Sequence, residues 1–560
     1  MTKVKRQNKF KINIKNPAIR WGIFVILSLL FISIVNVDGH AVIKYANESE
    51  FHFSRILSLS NIFQSPVNFN YFNHSGQMIN TFVPWLTIYP MYLLIMLCHS
   101  TILGYYIYFI LLTIITLEIS YQCSIRITQK AMPSFIFSIF YSFASYRILD
   151  IYYRKAFSEA IALTFLPFIL LGLYQVFFDK KGKYSGLVIG FVGLLYTDYK
   201  TTVIAIIFVV SAVILTVIMN KVTKGQLFNF VKACGLTLIL GLGSLVPLWQ
   251  VLLTTQIANG NEKLADNALS LQDFLLNALN NNFRSIEENH FIKVLPSIGL
   301  ILFIVMIVVI CNYRKLNKFE QVVFWTTGVS LFLSTKLFPW GFFQKFIGII
   351  ERPWIFLGLA SLGIAYLGAV VIAQLNMKWS LSLFTIVATI VLLMVTWANY
   401  QNLFRDDAES VITDKTYATL DKQFYGEDYE RYVPKDYQDN LTDVVNGVCY
   451  QNYEKIPSER TESDNGTVQT YVIVSDTKSE VSLPVLTYPG LTVKHNGQKT
   501  KYLQNGTGFI QVKCKEGKNI YQIQYHYTLL AKISACISFV ALLLSIGWNI
   551  FCIKRRKEAK

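Results

Sequence analysis

Residues 202–219 read TVIAIIFVVSAVILTVIM, eighteen residues without a charged side chain. A helix rises about 1.5 Å per residue, so this run extends about 27 Å as a helix, close to the roughly 30 Å thickness of the hydrocarbon layer of a membrane. Lipid offers backbone amides no hydrogen-bond partner, so a segment that crosses it must be helical. The run therefore predicts a transmembrane helix.

Comparable apolar runs recur along the whole chain. The others cover 21–37, 82–98, 102–121, 132–146, 158–178, 185–197, 234–252, 294–312, 321–337, 354–374, 380–398 and 529–553. Of the 560 residues, 53% are hydrophobic and only 15% are charged, which is too little charge to cover a soluble protein of this length. The sequence predicts an α-helical polytopic membrane protein.

The formal net charge of +17 follows from membrane topology. Lys and Arg collect in short segments between the apolar runs, as orientation by cytoplasmic positive charge requires. No basic face or aromatic platform accompanies them, so nucleic acid is not a predicted partner. The predicted partner is the lipid bilayer. The run 21–37 could belong to a secretory signal, but no small-residue cleavage site follows it, and an uncleaved first helix is favoured.

Both ends of the chain are basic, and this constrains the number of spans. Thirteen spans would put the ends on opposite sides, whereas the basic residues predict that both ends are cytoplasmic. The run 82–98 contains Pro84 and Pro90 and is the best one to remove; it would lie against the outer face of the membrane. About twelve transmembrane helices remain.

The polar segment near the C-terminus changes to strand-like alternation, as in YVIVSD, FIQVKC and YQIQYHY, with turn signals between. It predicts a small extracytoplasmic β-rich domain. The predicted organisation is a cytoplasmic basic N-terminus (1–20), a transmembrane domain (21–398) with its first outer loop at 38–101, the β-rich domain (399–528), the last helix (529–553) and a cytoplasmic basic tail (554–560). Cys449 and Cys514 in this domain could form a disulfide, and no cysteine spacing predicts a metal site.

Ionisable residues at the outer ends of helices carry most of the functional information. The first outer loop contains Asp38, Glu48, Glu50, His52 and Arg55. If residues 48–60 are helical, Glu48, His52 and Arg55 share one face and could deprotonate a hydroxyl and hold a phosphate. An amphipathic helix at the lipid headgroups is the alternative, and spacing alone favours it.

Two more clusters follow. SYRILDIYYRKAFSEAIALTFLP, at 145–167, gathers charges that could form either a site or structural ion pairs; these are Arg147, Asp150, Arg154, Lys155 and Glu159. STKLFPWGFFQKFIGIIERPWIFLGLA, at 334–360, predicts a re-entrant turn that lines a cavity, with Lys336, Lys345, Glu351 and Arg352 beside it. Belt aromatics at an interface would also explain Trp340 and Trp354. Asp198, in YTDYKTT, is more simply part of a loop.

These motifs, in this order, resemble the bacterial multi-spanning proteins labelled 6-pyruvoyl-tetrahydropterin synthase-related and the YfhO-like family, both similar to GT-C glycosyltransferases. The likeness is carried by Glu48 with Phe51-His52 and Arg55, by TFVPWLTIYPMYLL, by the Tyr146-Arg147 to Pro167 pattern, by Phe338-Pro339-Trp340 with ERPWIFL, and by YPGLTVKHNGQKTKY near the C-terminus. Three positions depart from the family: Glu48 replaces Asp, Asp198 replaces His, and Arg352 precedes Pro353-Trp354.

The resemblance implies a GT-C-like enzyme in a bacterial cell membrane that moves a sugar from a polyprenyl-phosphate carrier to an envelope glycan or wall polymer on the outer face. Glu48 would be the base, with Asp38 or Glu50 as substitutes. It implies phosphate binding by His52, Arg55, Arg147, Arg154 and Arg352, and support from Asp150, Glu159, Asp198, Trp340 and Trp354. No cofactor or metal is expected, and a divalent cation would be optional.

Two other functions remain open at this point. A transporter or flippase for a lipid-linked glycan would carry charges in mid-span and two matching halves. A non-catalytic envelope-assembly protein would use the outer domain only to bind. A deep outward cavity that joins Glu48, Arg154 and the 338–354 turn would favour the transferase.

Overall fold

The computed structural model describes residues 13–37, 40–41, 43–44, 49–257, 263–281, 283–286, 292–374, 381–404, 411–412, 432–504 and 508–558. Helices dominate the described chain. They are α1 Pro17–Ile32, α2 Ser49–Leu57, α3 Ile79–Phe82, α4 Tyr89–Cys98, α5 Thr101–Thr128, α6 Ala131–Ser142, α7 Ser145–Ile148, α8 Phe157–Ala162, α9 Leu166–Phe177, α10 Ser185–Leu195, α11 Tyr199–Met219, α12 Lys224–Thr254, α13 Leu271–Asn280, α14 Gly299–Cys311, α15 Lys318–Leu333, α16 Trp340–Ile347, α17 Leu357–Ile372, α18 Leu381–Phe404, α19 Leu441–Asn446 and α20 Leu529–Glu558.

Shorter helical turns and strands complete the described elements. The turns are 3₁₀ segments at Ser33–Val35, Ser58–Asn61, Phe72–His74, Leu163–Phe165, Tyr313–Lys315, Gly348–Ile350, Pro353–Phe356 and Lys435–Asn440, with a π-helix at Leu149–Arg154. The strands are β1 Asn36–Val37, β2 His40–Ala41, β3 Ile43–Lys44, β4 Arg284–Ile286, β5 Ile292–Val294, β6 Val411–Ile412, β7 Cys449–Gln451, β8 Glu454–Ile456, β9 Glu459–Glu462, β10 Val468–Ser475, β11 Ser479–Leu483, β12 Leu491–His495, β13 Gln498–Thr500, β14 Leu503–Gln504, β15 Ile510–Cys514 and β16 Gly517–Tyr525.

Within the described ranges, seven helical segments are long and apolar enough to cross a membrane. They are Thr101–Thr128, Phe157–Phe177, Tyr199–Met219, Lys224–Thr254, Pro353–Ile372, Leu381–Gln401 and Leu529–Cys552. The prediction of a helical polytopic membrane protein is confirmed at this level. The run 82–98 forms only the ten-residue α4, about 15 Å long and too short to cross. It pairs antiparallel with α5, where Tyr108 donates to the carbonyl of Thr87.

Helix α17 lies at the centre of the bundle, and every residue from Leu357 to Val371 is buried. It contacts α6, α14 and α15. Small residues allow this close packing: a Cβ on Gly363 would lie 1.9 Å from the Thr327 hydroxyl, and one on Gly368 would lie 2.1 Å from a Val305 methyl. The residues just before α17 are therefore held on a rigid support.

The β-rich region predicted near the C-terminus is present. Among residues 449–504 and 508–525, two five-stranded antiparallel sheets run in the orders β13-β12-β16-β10-β9 and β14-β15-β11-β7-β8. Their apolar side chains share one core, so the sheets form a sandwich. Burial alternates along β10 and β16, as the sequence pattern predicted. Two boundaries differ from prediction: α18 continues to Phe404, and α20 runs through the basic tail to Glu558.

The proposed disulfide between Cys449 and Cys514 is wrong, because both thiols are free and buried. Strand β11 lies between their strands and pairs with each, with Ser479 opposite Cys514. Two strands flanking a third are roughly 9–10 Å apart, beyond the Cα separation of about 7 Å that a disulfide can bridge. Burial raises the pKa of the Cys449 thiol to about 12, so this thiol is neutral at physiological pH.

The sandwich is fastened to the first outer loop. Phe69 enters the sandwich core, and its backbone amide donates to the carbonyl of Gly466 at 2.8 Å. Two side-chain bonds join the same surfaces: Asn70 donates to the carbonyl of Asp464 at 3.0 Å, and Gln469 donates to the carbonyl of His74 at 2.7 Å. The loop that carries the first charged cluster is therefore anchored by the sandwich.

Candidate functional site

The first outer loop contributes a buried helix to the site. Residues 49–61 are helical, close to the predicted range, but Phe51, His52 and Phe53 are buried, so α2 is not the solvated amphipathic helix that the spacing favoured. Asp38 and Glu48 lie outside the described residues, as does the side chain of Glu50.

Arg55 is fully buried away from the cavity described below. Its guanidinium donates to Asn80 at 3.2 Å, to the Ser158 hydroxyl at 2.7 Å and to the carbonyls of Val83 and Pro84. Burial lowers the pKa of this group to about 10, so it stays protonated at neutral pH. These bonds join α2 to α3 and α8, and the predicted role of Arg55 in phosphate binding stays a prediction.

The second cluster is organised by the π-helix at Leu149–Arg154, a conformation often found at functional sites. Arg154 is buried and bridges two acids, with Asp150 at 2.6 Å and Glu159 at 2.8 Å. The second oxygen of Glu159 accepts the Tyr146 hydroxyl. The ion pairs that the sequence left as one alternative are therefore present, and they fix Glu159 at the start of α8.

Arg147 and Lys155, from the same cluster, point elsewhere. Arg147 is 1% exposed and donates to the Ser142 carbonyl and to the Thr113 hydroxyl on α5. Lys155 adopts a left-handed backbone (φ 61°) and places its ammonium 3.5 Å from the Tyr105 hydroxyl. Neither side chain reaches the cavity, and the predicted phosphate contact of Arg147 is not supported by its position.

The third cluster folds back on itself before α17. Helix α16 and a 3₁₀ turn lead into Glu351, whose backbone has φ 58° and ψ −46°. The amide of Arg352 donates to the carbonyl of Ile350 at 2.6 Å, which closes a three-residue γ-turn around Glu351. Trp340 is buried beside Phe356 and does not line the cavity.

Asp198 begins α11 and caps it. Its Oδ2 accepts the Thr201 amide at 2.8 Å and the Thr201 hydroxyl at 2.6 Å. Two residues later, the Lys200 ammonium lies 2.5 Å from a carboxylate oxygen of Glu351, 151 residues away in the chain. This contact ties α11 to the γ-turn.

One cavity brings these stretches together. Its empty space, part of which is open solvent, is about 660 Å³. It is lined by residues from the first outer loop, the 154–159 segment, the start of α11, the γ-turn and Tyr432. Its charged, imidazole and large aromatic lining residues, within the described chain, are Phe51, His52, Arg154, Glu159, Asp198, Lys200, Glu351, Arg352, Trp354 and Tyr432. The cavity brings Arg154 and the γ-turn together, as expected, whereas the expected approach of Glu48 to Arg154 lies outside the described residues.

The cavity combines opposite charges around an aromatic wall. Two guanidinium groups lie near the Trp354 ring, that of Arg154 at 4.6 Å and that of Arg352 at 6.0 Å from its centre. Phe51 and Tyr432 add two further aromatic side chains to the lining, with ring centres 6.3 Å apart. Such a site can hold an anion on its cations and pack a ring or a chain on its aromatics.

Six of the site residues named from the sequence lie on this lining. His52, Arg154, Glu159, Asp198, Arg352 and Trp354 line the cavity. Glu351 was expected beside a re-entrant turn that lines a cavity but was given no role, and Lys200 was interpreted as part of a loop between two spans. A usable signal was present: Lys200 lies in the first turn of α11, where the helix dipole disfavours a cation.

Comparison of the sequence with protein-family models and with curated proteins finds no match. In the described part of the chain, no group of three His, Cys, Asp or Glu side chains is arranged to hold a metal ion. The site must be interpreted from its own chemistry.

Proposed function

We propose that the protein is a membrane glycosyltransferase of the GT-C type, which moves a sugar from a polyprenyl-phosphate carrier to a glycan or wall-polymer acceptor. The observation that carries the proposal is the single cavity in which Arg154, Lys200 and Arg352, from three distant stretches, meet acidic and aromatic side chains. Cations suit the phosphate, the aromatic wall suits a sugar ring or an isoprenoid chain, and a carboxylate can accept the proton of an acceptor hydroxyl.

The position of the cavity relative to the candidate spans supports this function. Three of the spans begin at the cavity: Phe157–Phe177, Tyr199–Met219 and Pro353–Ile372. Helix N-termini carry partial positive charge and favour phosphate groups. A cavity where spans begin lies at one face of the membrane, which suits a lipid-linked donor better than the mid-membrane site of a transporter.

The proposal includes a topology of about twelve spans in a GT-C-like arrangement in a bacterial cell membrane. The spans 157–177 and 199–219 end next to Lys180 and Lys221, which favours a cytoplasmic location for those ends. The cavity then faces outward, both termini are cytoplasmic, and residues 399–528 are extracytoplasmic beside the acceptor.

Transfer would proceed by attack of the acceptor oxygen on the anomeric carbon. The bond from that carbon to the phosphate oxygen breaks, its electron pair stays on the phosphate, and the hydroxyl proton moves to a carboxylate. Arg352 would stabilise the phosphate charge as it develops. By the family resemblance Glu48 is the proton acceptor, and its close neighbour in sequence, His52, lines the cavity.

Purified protein incubated with a radiolabelled polyprenyl-phosphate sugar and an envelope extract tests the proposal. We expect Arg352→Ala to lower transfer about 10²-fold through loss of phosphate stabilisation, and Glu48→Gln to lower it at least as much through loss of the base. Lys345→Ala is the control, because Lys345 is exposed on α16 and does not line the cavity. Absence of transfer by the unaltered protein, or full transfer by Arg352→Ala, would overturn the proposal.

A further inference from the structure

We infer that Lys200 and Glu351 are positioning residues: their ion pair holds the γ-turn that directs Arg352 into the cavity. The inference rests on the proposed function in one respect: the role of Arg352, which is to bind a lipid-linked phosphate. The pairing and the turn are features of the fold itself, so they can be tested separately from transfer.

The turn at Glu351 adopts a conformation that L-residues rarely occupy. With φ 58° and ψ −46°, Glu351 lies at the centre of a γ-turn closed by the bond from the Arg352 amide to the Ile350 carbonyl. A backbone of this kind persists only where its surroundings hold it, because it is less stable than ordinary turn conformations. Something other than local preference must keep Glu351 there.

Contacts from two other parts of the chain hold this residue. The Lys200 ammonium lies 2.5 Å from the Glu351 carboxylate, and the Asn267 side chain donates to the Glu351 carbonyl at 3.3 Å. The side chains of Lys200 and Glu351 are 27% and 22% exposed, so the pair is less screened than a surface ion pair. Both the side chain and the backbone of Glu351 are therefore anchored.

The placement of Lys200 also fits a positioning role. It lies in the first turn of α11, where the dipole of the helix opposes a cation, and Asp198 already caps that end. An acid partner offsets this unfavourable location. The lysine is thus tolerated where its ammonium can reach across to the γ-turn from a rigid helix.

The arginine that follows depends on the turn. Arg352 comes directly after Glu351, and its guanidinium lies 6.0 Å from the Trp354 ring, on the cavity lining shared with Arg154. Relaxation of Glu351 to a negative φ would rotate the chain at this point and move Arg352 relative to Trp354. Loss of the ion pair should therefore weaken phosphate binding because Arg352 is displaced. Substitution of Lys200 removes one cation, and substitution of Glu351 removes none.

Hydrogen–deuterium exchange on the full protein in nanodiscs tests the structural part. We expect Lys200→Met to speed amide exchange in residues 348–356 about tenfold, and the charge swap Lys200→Glu with Glu351→Lys to restore protection. Lys345→Met, on the exposed side of α16, should leave exchange unchanged, and size-exclusion chromatography shows whether each variant is folded. Exchange unchanged in Lys200→Met, or a swap that protects no better than the single variant, overturns the inference.

Native mass spectrometry with undecaprenyl phosphate as the probe tests the functional part. We expect about tenfold weaker binding in both Lys200→Met and Glu351→Gln, because Glu351→Gln keeps every cation and still releases the turn. Unchanged binding in Glu351→Gln despite faster exchange overturns the positioning role. If the unaltered protein does not bind the probe, the proposed function fails, and the exchange experiment still decides whether the pair holds the turn.

Discussion

Arg154 has two acidic partners, and both are its near neighbours in the sequence. Its guanidinium is buried between Asp150 and Glu159 and stacks over Trp354 at 4.6 Å. Both acids are themselves buried, so the arginine neutralises charges that have little access to water. A buried pair adds little net stability over apolar packing, yet loss of one partner leaves an uncompensated charge.

Arg154→Met should therefore destabilise the protein strongly, by about 3–5 kcal/mol, because two buried carboxylates lose their shared cation. Thermal unfolding in detergent, followed by size-exclusion chromatography, measures the change. Arg154→Lys keeps the charge but not the forked geometry, so we expect an intermediate loss. An Arg154→Met protein that unfolds at the temperature of the unaltered protein would show that the bridge does not support the fold.

The sequence predicts ion pairs between near neighbours in the chain better than ion pairs between residues far apart in the chain. Arg154 and Glu159 are five residues apart, and their pairing was one of the interpretations of the cluster. Lys200 and Glu351 are 151 residues apart, and no local pattern relates them. The partners of Arg55 depend on how the loop at 80–84 folds over α2, and charge patterns carry no information on that.

Helix α11 illustrates what the sequence predicts about an element. Its apolar run predicted the helix, and Asp198 starts it as an N-cap with two bonds to Thr201. The reading of Asp198 as part of a connecting loop was therefore incomplete. The same residue lines the cavity, so its two roles must be separated by experiment.

Asp198→Ala should cost about 1 kcal/mol of stability, since the first-turn amide of α11 loses its acceptor. Asp198→Ser keeps a capping oxygen without the charge, and we expect it to regain most of that stability. Thermal unfolding of the two variants makes the comparison. Equal destabilisation by Ala and Ser would mean that the carboxylate charge, rather than the cap, stabilises this end of the helix.

Elements are predictable where one physical requirement dominates. The length of an apolar run identifies a membrane helix, because a helix must cross the lipid. Alternation of apolar and polar residues identifies a strand of the sandwich, because only one face of each strand lies in the core. In the order β13-β12-β16-β10-β9, β16 lies between β12 and β10, while β11 belongs to the other sheet, and alternation cannot reveal this arrangement. The γ-turn at Glu351 contradicts local backbone preference, so no propensity predicts it.

On the scale of the whole molecule, the sandwich and the first outer loop form one packed unit. Gly466 lies at their contact with φ +63°, where a Cβ would lie 1.9 Å from the Asn68 side-chain oxygen. Its carbonyl accepts the Phe69 amide. Glycine is required at this position because the backbone has a positive φ and because the Asn68 side chain leaves no room for a Cβ.

Gly466→Ala should separate the loop from the sandwich, because the added methyl displaces Asn68 and breaks the bond from Phe69. Faster hydrogen exchange in residues 66–76 is the expected readout, with a stability loss of about 1–3 kcal/mol. Gly497→Ala is the matched control: it has a similar φ of +83° but no atom within 4 Å of the added Cβ. Equal effects of the two variants would trace the loss to backbone strain instead of loop docking.

The two separated thiols of the sandwich bear on how this part of the protein matures. Cys449 and Cys514 are held apart by an intervening strand, and both are free. Folding of the sandwich therefore needs no oxidant and no thiol–disulfide isomerase, and a reducing agent should not destabilise the sandwich. The sandwich can reach its final form equally well in a reducing or an oxidising compartment.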